Sequence, residues 1–291
     1  MSAAAEKTDP AFSETALAEH LRELEPQGWS WPSYRSVEVE RWNENGVGAK
    51  QDWVAEEVPV VLVYNGQPHV VMLATPLDLE DFALGFSLTE GIVGSLTEIE
   101  AIRVHHRSEG IEVRIRLVTQ NQDALAGRER NLTGRTGCGL CGTTSLRQAI
   151  RRPAPVKSDI RVSPTDLHGA LQNLRAKQEI NRLTGAVHAA AWVLPGRGIA
   201  GVREDVGRHN ALDKLIGMLS RTPREEGYVL VTSRASYEMV QKCASAGIGL
   251  MAAVSAPTGL AIRLAKETGL TLVGFARDDS HVVYAHPWRL T

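Results

Sequence analysis

Two of the three cysteines in this 291-residue chain stand three apart, in Thr136-Gly137-Cys138-Gly139-Leu140-Cys141-Gly142. Glycines frame them, which permits left-handed turns and leaves little bulk to shield the sulfurs. A polar, arginine-bearing run over 121–135 leads into them, and the Thr143-Thr144-Ser145 stretch behind them reads as the cap of a helix running to Ile150. A thiol just before a helix N-terminus and among arginines is biased toward thiolate, the nucleophilic form. Half of a zinc site, a disulfide and no role at all remain open from spacing alone. A structural zinc site takes four N or S ligands, and no second Cys-x-x-Cys or His-x-x-x-His follows, so no tightly bound metal is expected. The third thiol, Cys243, sits in an apolar helical pattern and reads as packed.

Two familiar patterns fail on context. Gly196-Arg197-Gly198-Ile199-Ala200-Gly201 matches the dinucleotide-binding fingerprint, but a strand rather than a helix follows it, so the glycines predict a hairpin turn. His188 stands where a zinc deaminase carries the histidine of His-x-Glu, yet Ala190 occupies the glutamate position and the Cys-x-x-Cys precedes it. Three other stretches suit ligand contact. Val231-Thr232-Ser233-Arg234-Ala235-Ser236 and Val254-Ser255-Ala256-Pro257-Thr258 each run off a strand's carboxyl end into a helix start, the edge of an open α/β sheet where ligands bind. Helix capping is the alternative role for their hydroxyls. Glu204-Asp205-Val206-Gly207-Arg208-His209-Asn210 puts five polar side chains before a helix, of which a cap needs one.

The whole chain sets the bounds. Apolar residues make up 43% and charged residues 23%, the mixture of an ordinary globular protein large enough for two domains. The first thirty residues lack a secretory pattern, no apolar run spans a bilayer, and three cysteines make no disulfide framework, so a reducing cytoplasm is expected. A net charge of −2 gives no general attraction to nucleic acid. Between 121 and 161, however, eight basic residues face three acids, and this local positive balance suits an anionic ligand or acidic partner, or a solvated helix face.

Periodicity supplies the elements that must position these groups. Residues 1–34 predict an appendage with a short amphipathic helix near 16–24. Residues 35–120 predict an α+β domain: alternation from Ser36, strands over 58–64 and 69–74 joined by an Asn65-Gly66 turn, a helix capped by Asp78 with Leu79, Phe82, Ala83 and Phe86 inward, and strands over 99–104 and 111–118. Residues 121–142 predict a mobile loop carrying both thiols, and 143–162 a helix and linker. From 163 to 291 strands and helices alternate, which predicts a largely parallel sheet covered by helices, a three-layer α/β domain. Its first helix starts at Ser163-Pro164-Thr165-Asp166 and buries Leu167, Ala170, Leu171 and Leu174.

Several pieces occur in one order from about residue 37 to the end. They are Ala74-Thr75-Pro76 with Leu79-Glu80-Asp81-Phe82-Ala83-Leu84-Gly85-Phe86, Thr89-Glu90-Gly91-Ile92, and Cys138-Gly139-Leu140-Cys141-Gly142. Thr184-Gly185-Ala186-Val187-His188-Ala189-Ala190 follows, then the run from Glu204 through Asn210 to Ala211-Leu212-Asp213-Lys214, Ser236-Tyr237-Glu238-Met239 and Ser255-Ala256-Pro257-Thr258. In these the chain resembles the formate dehydrogenase accessory sulfurtransferases, the FdhD family.

That resemblance implies a sulfurtransferase that accepts sulfur from a cysteine desulfurase as a persulfide on Cys138, the family's carrier position, with Cys141 as helper or second acceptor. It would pass the sulfur to a molybdenum–bis(guanine dinucleotide) cofactor destined for formate dehydrogenase. It also implies a homodimer, a second domain related in fold to the cytidine deaminases, and binding of the guanine nucleotide moiety, for which GDP is the minimal form. The family's cofactor loop falls on Phe275-Ala276-Arg277-Asp278-Asp279-Ser280. On this reading Ser233 and Arg234 take phosphate, Ser255 and Thr258 close over it, and Asp205 or His209 reaches guanine or ribose. A thiol–disulfide oxidoreductase is the enzymatic alternative, although its Cys-x-x-Cys should follow a strand in a thioredoxin-like unit. A cofactor chaperone that binds and hands over without sulfur transfer is the other.

Overall fold

The structure is a computed structural model, and it describes residues 14–24, 31–44, 46–118, 152–277 and 279–291. Cys138 and Cys141, the loop expected over 121–142, the helix expected after Thr143, and Asp278 lie outside the described residues.

In the first half, β3 (Val58–Tyr64), β4 (Gln67–Ala74), β5 (Ile99–Arg107) and β6 (Gly110–Leu117) form a sheet in the order β4-β3-β6-β5. Asn65 and Gly66 both take positive φ, 47° and 84°, as a two-residue hairpin between right-twisted strands requires. Alternate residues of β3 (Val58, Val60, Leu62 and Tyr64) point inward onto α2 (Leu79–Thr89), whose Leu79, Phe82, Ala83 and Phe86 fill the same core. Asp78 does not cap this helix through its side chain. Its backbone is left-handed, at φ 53°, and its carboxylate lies 3.4 Å from Arg203 instead.

A separate ribbon, β1 (Tyr34–Asn43) paired with β2 (Gly46–Ala55), precedes this sheet. At its foot Tyr34 packs edge-on against Trp53. Both join a small core with Leu17, Ala18 and Leu21 of α1 (Glu14–Leu24) and with Ile180 and Leu183 of the second half. The amphipathic helix expected near 16–24 is therefore built into the packed body.

The second half holds a six-stranded sheet in the order β12-β11-β10-β9-β7-β8. β9 (Tyr228–Val231), β10 (Leu250–Ala253) and β11 (Thr271–Gly274) run parallel. β7 (His188–Leu194) and β8 (Gly198–Asp205) form an antiparallel hairpin on one side, and β12 (Val282–Ala285) is antiparallel on the other. The sheet is thus parallel only at its centre, because the Gly196 and Gly198 turn folds β8 straight back on β7. Helix α3 (Pro164–Lys177), capped by the Ser163 hydroxyl accepting from the Asp166 amide, covers one face, followed by the short α4 (Glu179–Thr184). Helices α5 (Arg208–Ser220), α6 (Tyr237–Ser245) and α7 (Gly259–Thr268) cover the other, giving three layers.

The two halves meet where α2 crosses α5. A Cβ at Gly85 would overlap the Asp213 carbonyl, and one at Gly217 would overlap that of Asp81, so the backbones touch directly. This accounts for the burial of Asp81, Gly85 and Thr89 on the side of α2 that the sheet does not cover. Among the described residues, no helix is long and apolar enough to cross a membrane.

Candidate functional site

The described residues fix where the thiol-bearing segment departs and returns. Val118 leaves β6 with its amide donating to the Glu98 carbonyl, and Glu98 in turn accepts from the Gly94 amide through its side chain. Gly94 lines a cleft of about 810 Å³ between the ends of α2, α5 and α6. Arg152 and Pro153, where the described chain resumes, line the same cleft.

The carboxyl ends of β9, β10 and β11 form the second feature. On the α3 side of the sheet they open into a cavity of about 590 Å³. Arg175 of α3, Arg182 of α4 and Arg277 after β11 line it, together with Gln178, Asn181 and Thr232. No carboxylate is among its described lining residues, so the cavity is electropositive. The turn that brings Arg277 there is pinned by backbone bonds from Phe275 to Ser255, Ala276 to Ala253 and Arg277 to Ser280. Phe275 is held at φ 48° with its ring exposed, a costly backbone for an aromatic residue and one found where a site imposes it. Asp279 and Ser280 are exposed on the same turn.

Ser233, Arg234, Ser255, Thr258, Asp205 and His209, also expected at a ligand site, are not among the described residues that line this cavity. Ser233 is buried, and its hydroxyl donates to the Arg234 carbonyl, while Arg234 itself is exposed. Thr258 caps α7 by accepting from the Ala261 amide, and the Ser255 carbonyl accepts from the Phe275 amide. His209 pairs with Glu238 at 2.9 Å. Asp205 turns inward, accepting from the Thr75 and Gly207 amides and pairing with Lys214. Glu204 is buried and accepts from the Ile180 and Asn181 amides, and burial pushes its carboxyl up to about 7. His188 is half-buried, and burial together with the Arg208 charge lowers its pKa. No cluster of three or more His, Cys, Asp or Glu suited to a metal exists among the described residues.

Arg175, Arg182, Gln178 and Asn181 line the cavity, and the sequence alone does not single them out. They lie far from Arg277 along the chain, and no local pattern links them to it.

A family model described as FdhD/NarQ matches residues 55–291. The chain belongs to the FdhD/NarQ family. It is 53% identical over 261 residues to the sulfur carrier protein FdhD of Cupriavidus necator, covering 89% of this chain and 91% of that one. It is 51% identical over 268 residues to the sulfur carrier protein FdhD of Xanthomonas euvesicatoria, covering 89% and 95%. The crystal structure of a protein assigned as a formate dehydrogenase accessory protein from Desulfotalea psychrophila superposes with a TM-score of 0.72 over 89% of this chain and all of that one. At 23% identity it shows that the two share a fold. The FdhD/NarQ match begins at the last residue of β2, so α1 and nearly all of the β1–β2 ribbon lie ahead of the residues that the family model matches.

Proposed function

We propose that this protein is a sulfur carrier serving formate dehydrogenase. A cysteine desulfurase passes it a persulfide sulfur: the Cys138 thiolate attacks the terminal sulfur, and the desulfurase thiolate leaves. Attack by Cys141 on Cys138 then releases sulfide and leaves a Cys138–Cys141 disulfide, so the dithiol supplies the two electrons and a cellular thiol reductant restores it. The acceptor is a molybdenum–bis(guanine dinucleotide) cofactor, bound as substrate, and the working unit is a homodimer in the cytoplasm. The observation that carries the sulfur-carrier reading is the half-identity, over most of the chain, to proteins named sulfur carrier protein FdhD. The arginine-lined cavity at the sheet's carboxyl edge supports the nucleotide part, since Arg175, Arg182 and Arg277 suit phosphate oxygens.

Incubation with a cysteine desulfurase and cysteine, followed by mass spectrometry, tests the transfer. Wild type should gain the mass of one sulfur, and Cys138→Ala should not. A full gain in Cys138→Ala would overturn the assignment of the carrier thiol. Nucleotide binding without any sulfur gain in wild type would leave a cofactor chaperone.

A further inference from the structure

The arginine-lined cavity has walls that repel one another, Arg175 on α3 facing the same space as Arg277 on the turn after β11. Among the described residues, one side-chain hydrogen bond joins those walls, beside the apolar packing of Ala276 with Leu171 and Leu174. His168 Nε2 and His281 Nδ1 lie 3.0 Å apart, with ring centroids at 5.2 Å and planes inclined at 61°. His168 precedes Leu171 by three residues and Arg175 by seven, so all three share one face of α3. His281 ends the turn that begins at Phe275.

We propose that His168 and His281 are positioning residues, a clasp that holds Arg277 against α3 and so sets the affinity of the cavity for a nucleotide phosphate. This rests on reading the cavity as the nucleotide site. The clasp needs one ring nitrogen as acceptor, so it survives while at least one ring is neutral and fails when both are protonated. Burial and the neighbouring His168 hold the His281 pKa below its ordinary value, which confines that loss to acid solution. The charged groups on the two elements that carry the rings are Asp166, Arg175 and Lys177 on α3, and Arg277, Asp278 and Asp279 on the turn, of which Asp278 lies outside the described residues. Among the described residues, neither ring is ion-paired to any of them.

Calorimetry with GDP at fixed salt, from about pH 5 to pH 8, tests the clasp. His168→Ala and His281→Ala should each weaken binding about fivefold, the worth of one hydrogen bond, and the double variant should be no weaker than either. His281→Gln keeps a donor and an acceptor without titrating, so it should bind like wild type near neutrality and lose less affinity in acid. Wild-type affinity in both alanine variants, with Arg277→Ala impaired, would overturn the clasp and leave the cavity reading intact. Absence of GDP binding in wild type would overturn both.

Discussion

Asp205 and Lys214 meet at 2.7 Å, and neither side chain exposes any surface. Lys214 also donates to the Thr75 carbonyl at 2.9 Å, and Asp205 accepts from the Thr75 amide at 3.0 Å. One buried ion pair thus grips the residue where β4 gives way to the approach to α2. Removing one partner leaves a charge buried without its counter-charge, so Lys214→Met should cost about 3–5 kcal/mol. Urea denaturation should show that loss, and Lys214→Met combined with Asp205→Asn should lose less than the two single changes added together.

The α2–α5 crossing has no room for a side chain. Gly217→Ala would drive a methyl group into the Asp81 carbonyl, forcing the helices apart. A destabilisation of about 3 kcal/mol or more is expected, at the upper end for overpacking. Thermal melting of this variant beside Gly169→Ala, where a Cβ meets nothing within 4 Å, separates the crossing from a general effect of the substitution.

Glu204 should impose a pH dependence. Its carboxyl is raised from 4.5 to about 7 in the folded chain, mainly by burial. An acid raised on folding contributes stability that is complete below its unfolded pKa and is lost as pH rises through the folded one. Wild type should therefore lose stability relative to Glu204→Gln between those two values, by on the order of 3 kcal/mol. Parallel stability profiles of the two proteins from about pH 4 to pH 8 would contradict this.

Phe275 predicts a trade. Phe275→Gly removes the penalty of a left-handed aromatic residue and should stabilise the fold by about 1 kcal/mol. If the exposed ring stacks on a base, the same change should weaken GDP binding by about 1–3 kcal/mol. Equal affinity in the more stable variant would show that the ring has no contact with the nucleotide.

Local physics makes much of this fold legible. The inward stripe of Leu79, Phe82, Ala83 and Phe86, the Ser163 cap and the hairpin at Gly196 and Gly198 all follow from short-range spacing. β2 is not visible in the sequence, because its Gly, Lys, Gln and Asp residues break alternation and it is held by pairing with β1. The six-residue α4 and four-residue β12 are too short to show a period. The polar run from Glu204 to Asn210 misleads for a different reason. Its residues look poised for a ligand, but Asp205 finds its partner at Thr75, 130 positions earlier, and Asn210 at Leu73, 137 positions earlier.

Backbone contact at Gly85 and Gly217 has one more consequence, for the chain as two pieces. The halves on either side of residues 119–151 share Asp81 with Arg203 and Arg221, and Thr89 and Glu90 with Lys242. In the first piece made alone, Asp81 would lack both of its arginine partners and Glu90 its lysine. Made together from a gene divided within that stretch, the two pieces should recognise each other through α2 and α5 and reconstitute the fold as complementing fragments.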